Sequence, residues 1–105
     1  MEGEEVIDRI TERVLQSADP VRVILFGSRA RGNASADSDY DLMVVERNVA
    51  DRVAEMVRLS RRLRSLGVPI DLIVVSADAF EYWKDTPGNV YHEAATEGRS
   101  LYEAA

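Results

Sequence analysis

A chain of 105 residues, 46% hydrophobic and 30% charged, has room for one core of helices on a sheet, and a single domain over residues 1–105 is expected. Its 13 Lys and Arg against 19 Asp and Glu leave a formal charge of -6, which argues against non-specific binding to nucleic acid backbones. With no cysteine, disulfides and thiolate metal sites are excluded; the acidic start Met1-Glu2-Gly3-Glu4-Glu5 does not suit a signal peptide, no stretch approaches the roughly 20 apolar residues of a membrane span, and a cytoplasmic location is expected.

Val6, Ile7, Ile10, Val14 and Leu15 recur at helical spacing and predict an amphipathic helix over 4–16, stopped by Asp19-Pro20. Residues 21–26, all apolar but Arg22, read as a first strand. Residues 27–36 read as a turn with a short helix starting at Ser28, and 39–45 as a second strand. Val49, Val53, Met56, Val57, Ser60 and Leu63 predict one face of a second long helix, ended by Gly67 and Pro69. A third strand follows over 70–75. Ser76 is placed to cap a short helix carrying Phe80 and Trp83. Pro87-Gly88-Asn89 is a turn, 90–97 a last helix closed by Gly98, and Leu101 and Tyr102 a short strand or a packed tail. The expected class is α/β, a small mixed sheet flanked by helices.

The connection between the first two strands is short, which predicts antiparallel neighbours. A helix joins the second and third strands, which permits a parallel pair. The end of strand one then lies beside the starts of strands two and three. Gly27-Ser28, Asp39 with Asp41, and Asp71 occupy those three ends. Asp39 and Asp41, two apart on a strand, would share a face about 7 Å apart. Alone, an Asp-x-Asp is more often a polar turn, but two further motifs arriving at the same edge favour a site. Carboxylates so close repel and need a cation or a proton between them. All-oxygen donors favour Mg²⁺ or Mn²⁺ over zinc, and such ions serve phosphoryl or nucleotidyl transfer.

Gly27 permits a tight turn and close backbone approach to an anion, and Ser28 adds a hydroxyl. Arg29 and Arg31 flank the turn, where either could pair with phosphate or with Asp37 or Asp39. Other phosphate and metal motifs fail. Gly27 and Gly32 have P-loop spacing, but Asn33-Ala34 replaces the Lys-Ser/Thr pair, and an EF-hand begun at Asp37 meets Leu42 and Asn48 where Gly and Glu belong.

Gly27-Ser28, ten residues, then Asp39-Tyr40-Asp41, with Asp71 on a later strand, resembles the nucleotidyltransferase superfamily that includes DNA polymerase β. The string Gly27-Ser28-Arg29-Ala30-Arg31-Gly32 and the chain length resemble its minimal nucleotidyltransferase (MNT) branch, and the likeness continues through Tyr91-His92-Glu93-Ala94 and Glu97-Gly98. The resemblance implies a polymerase β-like core and ATP as donor. Asp39 and Asp41 would bind two Mg²⁺ ions. Asp71 would share one of them and assist deprotonation of the acceptor hydroxyl. Gly27 and Ser28 would hold the β- and γ-phosphates, with Arg29 a further candidate for that contact. It also implies an antitoxin that transfers AMP to a tyrosine of a HEPN-domain toxin, and so a hetero-oligomer. The alternatives are a non-catalytic antitoxin that acts by occlusion and transfer to a small molecule. Three converging carboxylates weigh against the first and the short chain against the second.

Three further features draw blander readings. Arg58, Arg61, Arg62 and Arg64 make a basic face, read as solvated with Glu55 as a partner or as a docking surface. His92, without a Cys or second His, is structural rather than a zinc ligand. Tyr82, Trp83, Tyr91 and Tyr102 suit a core or a partner interface better than base stacking.

Overall fold

Apolar residues at helical spacing and three strand-length apolar runs give the computed structural model its layers. It describes residues 3–105; Met1 and Glu2 of the acidic start lie outside the described residues. Helix α1 (Gly3–Ser17) buries Val6, Ile7, Ile10 and Val14. Leu15, expected on that face, is turned outward instead, because the buried stripe passes through Val14. Strand β1 (Pro20–Phe26) leads into helix α2 (Ser28–Arg31), a single turn. Strand β2 (Tyr40–Glu46) starts one residue later than its apolar pattern suggests and leaves Asp39 just ahead of it.

Helix α3 (Arg52–Leu63) begins at Asp51, whose carboxylate accepts from the Ala54 amide at 3.0 Å. Its buried stripe runs through Leu59 and Leu63, with Met56 partly buried against the same core. The face expected from Val53 and Val57 is therefore rotated to solvent; these two valines are 65% and 44% exposed. Val49 lies ahead of the helix yet still packs on the core. Removing Leu59 and Leu63 from water contributes about 1.5–3 kcal/mol each, which is what sets the rotation. A 3-10 turn over Arg64–Leu66 hands the chain to strand β3 (Ile70–Ser76).

The Ser76 hydroxyl accepts from the Ala79 amide at 3.1 Å and caps helix α4 (Ala77–Trp83). Asn89 caps helix α5 (Val90–Glu97) in the same way, through His92 N–H at 2.9 Å. Gly98 closes α5 where a β-carbon would strike the Ala94 carbonyl and the Ile24 methyl, so the helix can turn tightly into strand β4 (Arg99–Glu103). The tail expected at Leu101 and Tyr102 is thus a strand.

The sheet order is β3-β2-β1-β4, with β1 antiparallel to β2 and β4, and β2 parallel to β3. One face carries Val23, Leu25, Leu42, Val44, Leu72 and Val74 under α1 and α3. The other carries Ile24, Phe26, Met43, Val45 and Val75 under α4 and α5. Arg58 donates to both Glu55 oxygens (2.7 and 2.8 Å) and to the Ser17 carbonyl (2.7 Å), tying α3 to the end of α1. Among the described residues no helix is long and apolar enough to cross a membrane.

Candidate active site

Sheet register brings the motifs together. Asp41 sits opposite Phe26 across the antiparallel pair and opposite Asp71 across the parallel pair. Gly27 follows Phe26 directly, so the turn, Asp41 and Asp71 occupy adjacent positions at one edge of the sheet. Asp41 shares the face of Met43 and Val45 by strand alternation. Asp39 is exposed, one residue before the strand, and Asp71 is also exposed, whereas Asp41 is half-buried between them.

Gly27 has φ 72° and ψ -157°, a backbone region that is essentially glycine's alone. A β-carbon there would overlap Asp41 Oδ2 and lie 3.0 Å from Asp41 Cγ. The missing side chain is thus the space in which the Asp41 carboxylate sits. Ser28, partly buried, opens α2 beside it, and Gly32 closes α2 in the left-handed region.

Burial, reinforced by the charges of Asp71, Asp39 and Glu93, raises the Asp41 pKa above the usual carboxylate range, and Arg31 partly opposes the rise. Arg31 and Glu93 themselves meet at 3.5 Å, linking α2 to α5. Among the described residues no three metal-ligating side chains stand close enough to hold an ion as they are. The three aspartates instead form an open, all-oxygen edge under mutual repulsion, which a hard divalent cation would relieve. The donor set therefore fits Mg²⁺ or Mn²⁺.

Arg29, expected as a further phosphate contact, is also engaged by the loop that follows α2. Its Nε and Nη2 donate to the Ser38 carbonyl at 3.2 and 2.9 Å, and Nη2 also to the Ala36 carbonyl at 3.3 Å. Its guanidinium carbon lies 4.0 Å from the centre of the Tyr40 ring. It does not pair with Asp37 or Asp39.

The sequence analysis did not pair Glu93 with Arg31 or bring it to this edge. The packing of α5 on the sheet carries Glu93 to the edge that holds Asp41, some fifty residues away in sequence. His92 is structural, its Nδ1 donating to the Lys84 carbonyl at 2.8 Å. Tyr91 and Tyr102 are partly buried, whereas Tyr82 and Trp83 are exposed and pack edge to face, 4.8 Å between centres. Of the basic face, Arg58 is paired with Glu55, and Arg61, Arg62 and Arg64 are exposed.

The sequence profile of the family described as polymerase beta, nucleotidyltransferase matches residues 8–105. A Methanocaldococcus jannaschii protein described as a candidate protein adenylyltransferase is 35% identical over 81 residues, which cover 77% of each chain. A candidate nucleotidyltransferase from Sulfolobus solfataricus superposes with a TM-score of 0.68 at 22% identity, over 94% of this chain and 78% of that one. A chain of a toxin–antitoxin complex with AMP-PNP gives 0.69 at 20% identity, over 93% and 73%. A chain from a complex of the tri-AMPylated Shewanella oneidensis HEPN toxin with its MNT antitoxin gives 0.63 at 17%, over 96% and 72%. At these identities the solved structures share the fold.

Proposed function

The chain belongs to the polymerase β nucleotidyltransferase family, and from that premise we propose that it transfers AMP from ATP to a tyrosine hydroxyl of a HEPN-type toxin and so acts as its antitoxin. One observation carries the reading: Asp41 stands in register with Asp71 on one side and with the end of β1, where Gly27 follows, on the other. A glycine turn followed by a serine hydroxyl, beside three carboxylates at one edge, suits nucleotidyl transfer. The described relatives add the acceptor class: one is a candidate protein adenylyltransferase, and others are chains of toxin–antitoxin complexes, one with AMP-PNP and one with an AMPylated toxin.

In this reading Asp39 and Asp41 would hold two Mg²⁺ ions, with Asp71 sharing one. Bound there, the ions would neutralise the triphosphate and the charge that develops on it. The remaining work belongs to the chain. The bare backbone of Gly27 and the Ser28 hydroxyl position the β- and γ-phosphates, which leaves the α-phosphorus facing the acceptor. Asp71 takes the proton from the acceptor hydroxyl as its oxygen attacks. The new bond joins that oxygen to the α-phosphorus. The bond that breaks releases pyrophosphate.

An acceptor hydroxyl carried by the toxin suits a hetero-oligomer. The decisive experiment is mass spectrometry of a HEPN-type toxin co-expressed with wild type and with Asp39→Asn/Asp41→Asn. An AMP increment only with wild type is expected. A partner left unmodified yet inactive would favour neutralisation by occlusion alone.

A further inference from the structure

We infer that Arg29 is a positioning residue for Asp39, gripping the chain on both sides of that carboxylate. The inference rests on the transfer reading above only in giving Asp39 a metal to hold. Asp41 is fixed by ladder partners on two strands, Phe26 and Asp71. Asp39 has no such support, since it precedes β2 at the end of an irregular segment. Within that segment Ser35 and Ser38 bond to each other, through Ser35 N–H to the Ser38 hydroxyl at 2.9 Å and Ser38 N–H to the Ser35 carbonyl at 3.2 Å.

Arg29 supplies what the ladder lacks. Two of its nitrogens close on the carbonyl of Ser38, the residue before Asp39. The central carbon of the same guanidinium lies over the ring of Tyr40, the residue after it. Tyr40 is itself immobilised: it is buried in the core beneath α1 and α3, and its amide donates to the Pro69 carbonyl at 2.9 Å. Strand alternation puts the ring on the face opposite Asp41, so the brace works from behind the site and leaves the carboxylate edge open. A cation stacked on a buried ring while its fork holds a carbonyl is a task for Arg. Lys keeps the charge but has neither the plane nor the fork.

The test compares Arg29→Lys, Arg29→Ala and Tyr40→Leu with wild type. Mn²⁺ affinity in the presence of AMP-PNP is read by electron paramagnetic resonance. AMP transfer at saturating Mg²⁺ gives kcat and KM for ATP, and melting curves check the fold. Both Arg29 variants are expected to melt near wild type, to bind Mn²⁺ about tenfold more weakly and to lose at least about tenfold in kcat, with KM for ATP little changed. Tyr40→Leu should reproduce the loss and add nothing to Arg29→Ala in the double variant. Wild-type Mn²⁺ affinity in Arg29→Lys beside a loss in Arg29→Ala would overturn the inference and assign Arg29 to phosphate by charge. Wild-type values in both would also overturn it. A wild-type protein that binds Mn²⁺ and transfers nothing would sink the transfer reading, and the Mn²⁺ affinities would still decide the brace.

Discussion

The Asp41 carboxylate occupies the volume that a side chain on Gly27 would need. Turn and metal-site candidate are therefore one packing unit, although fourteen positions separate them in sequence. Any residue larger than glycine at this position faces two penalties, a backbone region closed to it and a collision with the carboxylate.

Gly27→Ala should lower stability by about 1–3 kcal/mol. It should also lower AMP transfer by at least about 10², because a misplacement of an ångström at a reacting centre can have that effect. Chemical denaturation and a transfer assay on the same preparation check both. A folded variant with wild-type transfer would separate the turn from the site.

Ser28→Ala leaves the backbone of α2 intact and removes only a hydroxyl. Stability should stay within about 0.5 kcal/mol of wild type. Transfer should fall on the order of 10², as when a single anion-stabilising donor is removed elsewhere. An unchanged rate would make Ser28 an ordinary turn residue.

Asp71→Asn keeps the shape of the strand edge and removes the proton acceptor. Mg-ATP affinity, by titration calorimetry, should drop modestly, since Asp39 and Asp41 remain. Transfer should drop by at least about 10². Near-normal transfer by a folded variant would take Asp71 out of the chemistry.

At the opposite end of β2, Glu46 meets Glu55. Burial, then a hydrogen bond and like charge from Glu55, push Glu46 up to about 7, while Arg58 and then Glu46 hold Glu55 down at about 2. A carboxyl with a raised folded pKa keeps its proton better when folded, so its penalty is absent below about pH 4.5 and grows as pH rises through 7. Glu55 works in the other direction: its contribution is present above about pH 4.5 and is lost as pH falls toward 2. Glu46→Gln mimics the protonated partner. It should be neutral at pH 5 and stabilising by about 1 kcal/mol at pH 8, a figure discounted for partial exposure. Urea melts at the two pH values read this out, and an equal effect at both would dismiss the shared proton.

Strand positions and the meeting of Gly27, Asp41 and Asp71 were legible because each rests on local pattern plus one topological rule: short connections pair antiparallel and helical ones permit parallel. The α3 face was not. Val53 and Val57 fit the helical period as well as Met56, Leu59 and Leu63 do, and only the position of the sheet decides which stripe is covered. The loop contacts of Arg29 were hidden for a related reason. An arginine beside a phosphate-type turn suggests an anion contact, but the carbonyls that claim it belong to Ala36 and Ser38, whose placement depends on how the loop folds back. Glu93 reaches the edge through tertiary packing alone.

The mixed sheet also sorts the chain's connections by end. The 27–39 loop and the turn before β3 open onto the candidate site, whereas the joints at 18–19 and 47–51 lie at the far end of the sheet. Reporter dyes, affinity tags or a fused module could enter at Asn48 or Ala50, two exposed positions between β2 and α3, with the whole length of β2 between the graft and the chemistry. The fold thereby gives an engineer one end to leave untouched and another to build on.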